Sequence, residues 1–334
     1  MDSVTQIALG VSVASAIGFK AYGKKAILIG AALGTLPDLD VLINYGDAVA
    51  NYTYHRGFSH SLFVLSALAI GLFILARSFV QTAKDNPWRT FLMIWLSLIT
   101  HPLLDSFTTY GTQLFWPMPL MPTSWSSMFI IDPLYTLPLL ISLLGLWLSK
   151  NSRRWQRINL AALTFSCLYL LASQGAKWQI NQQLQAAQLT PSPVFISPMP
   201  FNIISWRILR YDGQQYSEAL TYVGNKQPLK WQTHDTGRAL LQQFQSPELA
   251  RLEWFSNGFL SFQQQQGALH VTDLRLGMAG YFPFTFHIAQ QQEGQWQAVD
   301  SVQLPQPKVE AARMKQLYRQ VFSQHPDNLA QAER

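Results

Sequence analysis

Charged residues are scarce in this chain and unevenly distributed. Asp, Glu, Lys and Arg make up 13% of the 334 residues and apolar residues make up 49%, whereas soluble proteins carry about 25% charged residues. No Lys or Arg occurs between Thr90 and Lys150, and no charged residue occurs from Ile158 to Ala176. This scarcity excludes an ordinary soluble N-terminal half and predicts one that is embedded in a membrane.

Cysteine is nearly absent as well. The single Cys167 excludes an intrachain disulfide and a Cys-rich zinc site. The first six residues lack the basic start of a cleavable signal peptide, so the first apolar segment is predicted to be retained. The net charge is +6, and the cations of the N-terminal half cluster between apolar segments, which membrane topology accounts for. No nucleic-acid partner is predicted.

Several apolar segments have the composition of membrane-spanning helices, which need about 20 residues. Four are strong and two, at 4–19 and 26–36, are weaker. The strong segments are 61–76, 90–104, 130–149 and 158–174. The predicted fold is a polytopic α-helical membrane domain of about five to six helices over residues 1–176, then a linker over 177–200 and a small soluble α+β domain over 201–334.

Within residues 1–176, the Lys and Arg residues lie almost entirely in alternate connections of this six-helix topology, with Arg56 as the exception. Cation-rich loops face the cytoplasm. This places both termini and the C-terminal domain outside the cytoplasm, and predicts a multi-pass protein of the bacterial inner membrane.

Acidic and imidazole side chains occur in three short motifs at the predicted outer ends of these helices. The motifs are P-D-L-D at 37–40, H-R-G-F-S-H at 55–60 and H-P-L-L-D at 101–105. Ionisable groups at membrane depth are costly and need a partner or a task. Carboxylate with imidazole is also the ligand chemistry of a divalent metal, with zinc expected. The predicted metal ligands are Asp38, His55, His60, His101 and Asp105.

Two of the motifs also have a simpler interpretation. His101 and Asp105 are four residues apart and would share one face of a helix, where they could bind a metal or form a pair that caps the helix end. Asp38 and Asp40 could instead lie in a solvated loop or cap a helix. The convergence of all three motifs on one face of the membrane favours the metal site.

Further roles are predicted for neighbouring residues. Asp40, or whichever of His55 and His60 does not bind metal, would relay protons. Arg56 is the only cation in the outer loops and would hold a phosphate or carboxylate, although contact with lipid headgroups is the alternative. Ser59 is predicted to cap the following helix.

The segment 110–125 is aromatic, uncharged and interrupted by proline. Such a loop belongs in the lipid headgroup zone. It would line an access route for a lipid-like substrate or form a plain aromatic belt.

Together these motifs resemble the YdjM-like family of membrane-bound metal-dependent hydrolases. The matching stretches are MDSVTQIALG, GTLPDLDVL, HRGFSHSLF, THPLLDSFTTYGTQLFWP and IIDPLYTLPLL, which run in order across residues 1–148. The family in turn is similar to the zinc-dependent phospholipase C and nuclease group. That resemblance implies a helical fold with zinc held by His and Asp.

The resemblance also implies roles for single residues. His101 and Asp105 match the His-x-x-x-Asp pair of that group, and Asp38 with His55 or His60 matches its upstream ligands. The chain departs from the family at Gln6, because many members carry a Thr-His pair where this chain has Thr-Gln.

The predicted function is therefore a metal-dependent hydrolase that acts at the outer face of the membrane on a phosphoester or lipid-like substrate, with membrane lipids as partners. A transporter or ion pathway is one alternative, because intramembrane Asp and His also form relays. A structural or regulatory membrane protein whose metal serves stability is another, and closed coordination would favour it.

The C-terminal half has alternating aromatic and β-branched residues that are typical of strands. Strands are predicted at 201–210, 216–223, 252–262, 270–276 and 281–289. Helices are predicted at 237–244 and 309–324. No catalytic motif is found in this half.

Overall fold

The structure is a computed structural model that describes residues 1–149, 152–186, 192–278 and 280–306. The chain divides into two compact units. Unit 1 comprises Met1–Ile43 and His55–Gln174, and unit 2 comprises Asn44–Tyr54 and Gly175–Arg334. The N-terminal region is helical, and the C-terminal domain consists of two antiparallel sheets.

Nine α-helices occur among the described residues. They are α1 Ser3–Tyr22, α2 Lys25–Thr35, α3 Ala48–Tyr54, α4 Leu62–Phe79, α5 Gln81–Asp85, α6 Pro87–Asp105, α7 Pro133–Leu148, α8 Ser152–Ala186 and α9 Pro247–Ser256. Helix α1 begins where the Asp2 carboxylate accepts the Thr5 N–H, and it ends at Gly23, whose φ is +54°. Short 3₁₀ helices cover Leu36–Leu42, Phe58–His60 and Arg238–Leu241.

Three of these helices are long and apolar enough to cross a membrane: Ser3–Tyr22, Leu62–Phe79 and Ser152–Gln185. The predicted count of five to six spans is not confirmed. Helix α2 has 11 residues and α7 has 16, and both are shorter than the roughly 20 residues of a bilayer crossing. Helix α2 ends because the chain turns into the 3₁₀ helix that contains Pro37.

Helices α1 and α2 approach each other closely through glycines. A Cβ atom added at Gly10 would lie 2.6 Å from the Gly30 carbonyl oxygen and 2.8 Å from the Gly34 Cα. Small residues at such a crossing let two backbones pack without intervening side chains. The contact matters for the site below, because Gln6 on α1 and the Gly34 carbonyl on α2 both touch metal-site residues.

Replacing Gly10 with alanine is expected to destabilise the protein by about 1–3 kcal/mol, because the added methyl must push the two backbones apart. Gly71→Ala in α4 is the matched control, since an added Cβ there meets no described atom within 4 Å. Thermal unfolding of both variants in detergent measures the difference. Equal midpoints for the two variants would contradict the packing.

Unit 2 contains two four-stranded antiparallel sheets, with strand orders β1-β2-β3-β4 and β5-β6-β7-β8. The first holds β1 Val194–Pro198, β2 Ser205–Tyr211, β3 Gln215–Tyr222 and β4 Gln232–Asp235. The second holds β5 Leu260–Gln265, β6 Ala268–Asp273, β7 Thr285–Gln292 and β8 Gln295–Gln303. Within the segment 177–200, helix α8 continues to Ala186 and β1 begins at Val194.

Two predictions for this half need comment. The strand predicted at 252–262 is wrong in its first part, where α9 runs to Ser256. Ser246 caps that helix by accepting the Leu249 N–H, and Asn257 ends it in the left-handed conformation, so local capping outweighs the strand-like composition. The helix predicted at 309–324 lies outside the described residues.

Helix α3 belongs to unit 2 as part of the segment Asn44–Tyr54, although the chain on both sides of that segment belongs to unit 1. The Tyr52 ring packs against Phe255, Phe284 and Phe286, with centroid distances of 4.7–5.1 Å. Its hydroxyl donates to Asp273 at 3.0 Å. A seven-residue helix from the loop between the P-D-L-D and H-R-G-F-S-H motifs is therefore part of the core of the C-terminal domain.

Candidate metal centre

Four predicted ligands lie together in unit 1: Asp38, His60, His101 and Asp105. Each offers one ligand atom, and the four atoms lie within 4.8 Å of one another. His60 Nε2 is 3.4 Å from Asp38 Oδ1 and 3.2 Å from Asp105 Oδ2. His101 Nε2 is 3.3 Å and 3.5 Å from the same two oxygens.

The four His–Asp separations suit a tetrahedral metal. Zinc with bonds of about 2.0–2.1 Å places its ligand atoms about 3.3–3.4 Å apart. The four facing atoms, Asp38 Oδ1, His60 Nε2, His101 Nε2 and Asp105 Oδ2, are all buried, and none has a hydrogen-bond partner among the described residues. Buried polar atoms without partners are rare and costly. A cation at their common centre would satisfy all four at once.

The hydrogen bonds behind His60 fix its tautomer. Ser59 donates its hydroxyl hydrogen to Asp40 Oδ2 at 2.7 Å, and the same hydroxyl oxygen lies 2.9 Å from His60 Nδ1. Since the hydroxyl hydrogen is already used, His60 Nδ1–H donates to the Ser59 oxygen. The lone pair of the neutral ring is then on Nε2, which faces the cluster, as in metal sites where an outer partner orients the imidazole.

A backbone carbonyl of α2 fixes the tautomer of His101. The Nδ1–H of His101 donates to the Gly34 carbonyl at 2.7 Å, because a carbonyl oxygen only accepts. In the neutral imidazole, the form that binds a metal, His101 Nε2 therefore also presents a lone pair to the cluster. Helix α6 continues through Pro102 to Asp105, so His101 and Asp105 share the helix face that the i, i+4 spacing predicts.

Asp40 and His55 lie outside the four-residue cluster. The Asp40 carboxylate is 4% exposed and accepts from Ser59 and from the Arg56 backbone N–H at 2.9 Å. Its other oxygen lies 2.9 Å from His55 Nδ1. Asp40 thus orders the loop that carries His60, while His55, whose side chain is 24% exposed, does not reach the cluster.

The second oxygen of Asp105 contacts three donors. The Gln6 side-chain amide donates to Oδ1 at 3.0 Å, Arg56 Nη2 lies 3.3 Å from it, and the N-terminal amine of Met1 also contacts it. Gln6 is 1% exposed, and its Oε1 has no partner in the described part of the chain. Gln6 therefore contacts the Asp105 carboxylate from α1 and is part of the site.

The two carboxyls of the 3₁₀ helix Leu36–Leu42 are held ionised. Burial opposes ionisation of Asp38, but His101 and His60 outweigh it and lower its pKa below the usual range. Burial likewise opposes ionisation of Asp40, and its hydrogen bonds with His55 and Ser59 lower its pKa overall. Both groups are therefore carboxylates at neutral pH, the form that binds cations.

One ligand is more accessible than the rest. The Asp38 side chain is 22% exposed, whereas those of the other three ligands are at most 1% exposed. Neighbours in the same 3₁₀ helix expose apolar side chains, including Val41 and Leu42 at 71% and 80%. The aromatic loop exposes further apolar residues: Phe115, Trp116, Met118, Leu120, Met121 and Trp125. Apolar surface is thus exposed both by the 3₁₀ helix that carries Asp38 and by the aromatic loop, whose Gln113 N–H donates to the Arg56 carbonyl.

Two helices of unit 1 are capped by polar side chains outside the cluster. The predicted Ser59 cap is wrong, because Ser61 caps α4 by accepting the Val64 N–H. Asp132, at the outer end of the fifth predicted span, caps α7 and accepts the Tyr169 hydroxyl hydrogen at 2.7 Å.

Three groups contribute to the site that the sequence did not predict there: the Gln6 side chain, the Ser59 hydroxyl and the Gly34 carbonyl. Only Gln6 carried a signal, its place in the family pattern.

Comparison with known proteins supports the resemblance. The family described as YdjM inner membrane protein matches residues 1–180. The Inner membrane protein YbcI of Escherichia coli (strain K12) is 32% identical over 117 residues, which is 35% of this chain and 66% of that relative. No solved structure matches the chain. Because the family match covers more than half of the sequence and includes all four clustered residues, the chain belongs to the YdjM inner membrane protein family.

Proposed function

We propose that this protein is a multi-pass metal-dependent hydrolase of the bacterial inner membrane. Its site would lie at the outer face and its C-terminal domain outside the cytoplasm. The observation that carries the proposal is the set of four buried ligand atoms, none with a hydrogen-bond partner among the described residues. The cation-rich alternate loops support the orientation.

The metal site suits hydrolysis. A divalent metal held here, with zinc expected, supplies polarisation of the scissile bond and lowers the pKa of a water to about 7. Asp38, His60, His101 and Asp105 would hold it, while Ser59 and the Gly34 carbonyl orient the two imidazoles. His55, half-buried and backed by the Asp40 carboxylate, is the group that would carry a proton to or from solvent.

The surroundings support a phosphoester or lipid-like substrate. The apolar side chains beside Asp38 and on the aromatic loop would contact acyl chains or the headgroup region. A substrate whose scissile bond lies at the headgroup level would reach the accessible side of the site.

A metal held only for stability is the second candidate. Four protein ligands are typical of closed structural zinc sites, whereas catalytic sites usually keep one position open, and four ligand atoms converge here. The transporter alternative predicts relay residues at several depths, and these four instead surround one point.

Hydrolysis of phosphomonoesters, phosphodiesters and phospholipids by the zinc-loaded protein in detergent tests the proposal. We expect turnover of at least one class, and a loss of at least about 100-fold after metal removal or in His101→Ala. His234→Ala, a histidine of β4 remote in sequence from all three motifs, is the control and should keep full activity. Turnover that survives metal removal would refute the proposal, and full metal retention with no turnover would favour the second candidate.

A further inference from the structure

Arg56 is a buried cation with unused donors. The residue is 5% exposed, and one guanidinium nitrogen, Nη2, lies 3.3 Å from Asp105 Oδ1. Its Nε and Nη1 are buried and have no partner among the residues described. An arginine rarely leaves two buried nitrogens unsatisfied, because each missing hydrogen bond carries a desolvation cost. These two donors therefore indicate a bound ligand that supplies hydrogen-bond acceptors.

The fold holds Arg56 in a strained position beside the metal cluster. Its φ is +62°, in the left-handed region that residues other than glycine rarely occupy. Two backbone hydrogen bonds keep it there: its N–H donates to Asp40 Oδ2, and its carbonyl accepts from the Gln113 N–H. The guanidinium also lies over the Tyr110 ring, 5.1 Å from the centroid. Such strain is common at ligand-binding sites.

A divalent cation beside Arg56 favours an anionic ligand between the two. The Asp38 and Asp105 carboxylates balance the charge of the cation, and the buried Asp40 carboxylate, which accepts from the Arg56 backbone N–H, offsets the charge of the guanidinium. No residue that the structure describes accepts from Nε or Nη1 of Arg56. An anion between these donors and the metal would therefore interact favourably with both.

We infer that Arg56 and the metal cluster together form a binding site for a phosphate-class oxyanion, the phosphoryl group of a phosphoester. A phosphoryl group has enough oxygens to place one on the metal and another on an unused Arg56 N–H while keeping its ester oxygen, whereas a carboxylate has only two oxygens in all. The inference rests on the proposed function for the presence of the metal, and it deepens that proposal by naming the group that is recognised.

Binding of inorganic phosphate to the full-length, zinc-loaded protein in detergent tests the inference, with metal content measured on the same samples. We expect phosphate to raise the unfolding midpoint of the unchanged protein. Arg56→Gln should bind phosphate at least about tenfold more weakly while keeping its zinc. Arg77→Gln is the matched control, because Arg77 is an exposed cation in α4, and it should bind phosphate as the unchanged protein does.

A second variant distinguishes loss of the phosphate contact from misfolding of the protein. Arg56→Lys keeps the positive charge next to Asp105 but lacks the planar fork, so it should retain zinc and still lose most of the phosphate affinity. Unchanged phosphate affinity in both Arg56 variants, or no phosphate binding by the zinc-loaded unchanged protein, would overturn the inference.

The source of the phosphoryl group is decided by competition. Phosphatidic acid in phosphatidylcholine vesicles should displace inorganic phosphate if the ligand is a lipid headgroup, and glycerol phosphate alone should do so if it is soluble. Either result supports the site. Because binding needs no turnover, a protein that binds phosphate through Arg56 but hydrolyses nothing would refute only the proposed function.

Discussion

Protein purified with His60→Ala or His101→Ala is expected to retain less than about a tenth of its bound metal, whereas His55→Ala is expected to retain nearly all of it. All three are histidines of the predicted site, and the sequence does not separate them. The structure does, because the Nε2 atoms of His60 and His101 lie 3.2–3.5 Å from the ligand oxygens, whereas His55 Nδ1 is bound to Asp40.

The expected size of the effect follows from the number of ligands. Changing an outer-shell partner typically weakens metal binding 10–100-fold, and removing one of four direct ligands should cost more. It also leaves two ionised carboxylates facing each other in a buried space with one fewer ligand to hold the cation. We therefore expect the dissociation constant to rise by at least about 100-fold in His60→Ala and His101→Ala.

The measurement is the metal-to-protein ratio of the three variants and the unchanged protein, each exchanged into metal-free buffer containing detergent. His55→Ala serves as the matched control, since it removes the same side chain from the same loop as His60. If His55→Ala lost its metal while His60→Ala kept it, the assignment of the four ligands would be wrong. Equal metal content in all four proteins would contradict the assignment of a metal centre to this cluster.

The sequence predicts some of the metal ligands but does not show which histidines of the 55–60 motif bind the metal. The i, i+4 spacing was enough to place His101 and Asp105 on one helix face, because helix geometry is regular. The choice between His55 and His60 depends on how the loop folds around Asp40, and no periodicity encodes that. The Gly34 carbonyl orients His101. Because every residue has a backbone carbonyl, the amino-acid type at position 34 does not predict this hydrogen bond.

The fold shows the same limit. Apolar composition indicated a helical N-terminal region, but it did not distinguish helices that cross a membrane from shorter ones such as α2 and α7. Helix α3 was not predicted, since seven residues carry too little periodicity. The strand-like stretch at 252–262 begins in α9 because Ser246 and Asn257 supply the helix caps, and those local signals were outweighed in the sequence reading by aromatic content.

Replacing Asp273 with alanine is expected to destabilise unit 2 by about 3–5 kcal/mol, the cost of leaving one member of a buried ion pair without its partner. Asp273 is fully buried and Arg275 is 4% exposed. The carboxylate accepts from Arg275 Nη2 at 2.6 Å, from Arg275 Nε at 3.0 Å and from the Tyr52 hydroxyl at 3.0 Å. Alanine removes all of these acceptors and leaves the guanidinium buried.

Two further variants separate the ion pair from the tyrosine contact. Tyr52→Phe keeps the ring packing of α3 and loses one hydroxyl, so it should cost only about 0.5–1.5 kcal/mol. Asp300→Ala removes an exposed carboxylate from β8 and should change stability by less than about 0.5 kcal/mol. Urea titration of the full chain in detergent, followed by proteolysis of unit 2, measures all three. A shift below about 1 kcal/mol in Asp273→Ala would mean that Arg275 finds another acceptor or reaches solvent, and the central role of this pair in anchoring α3 would then be wrong.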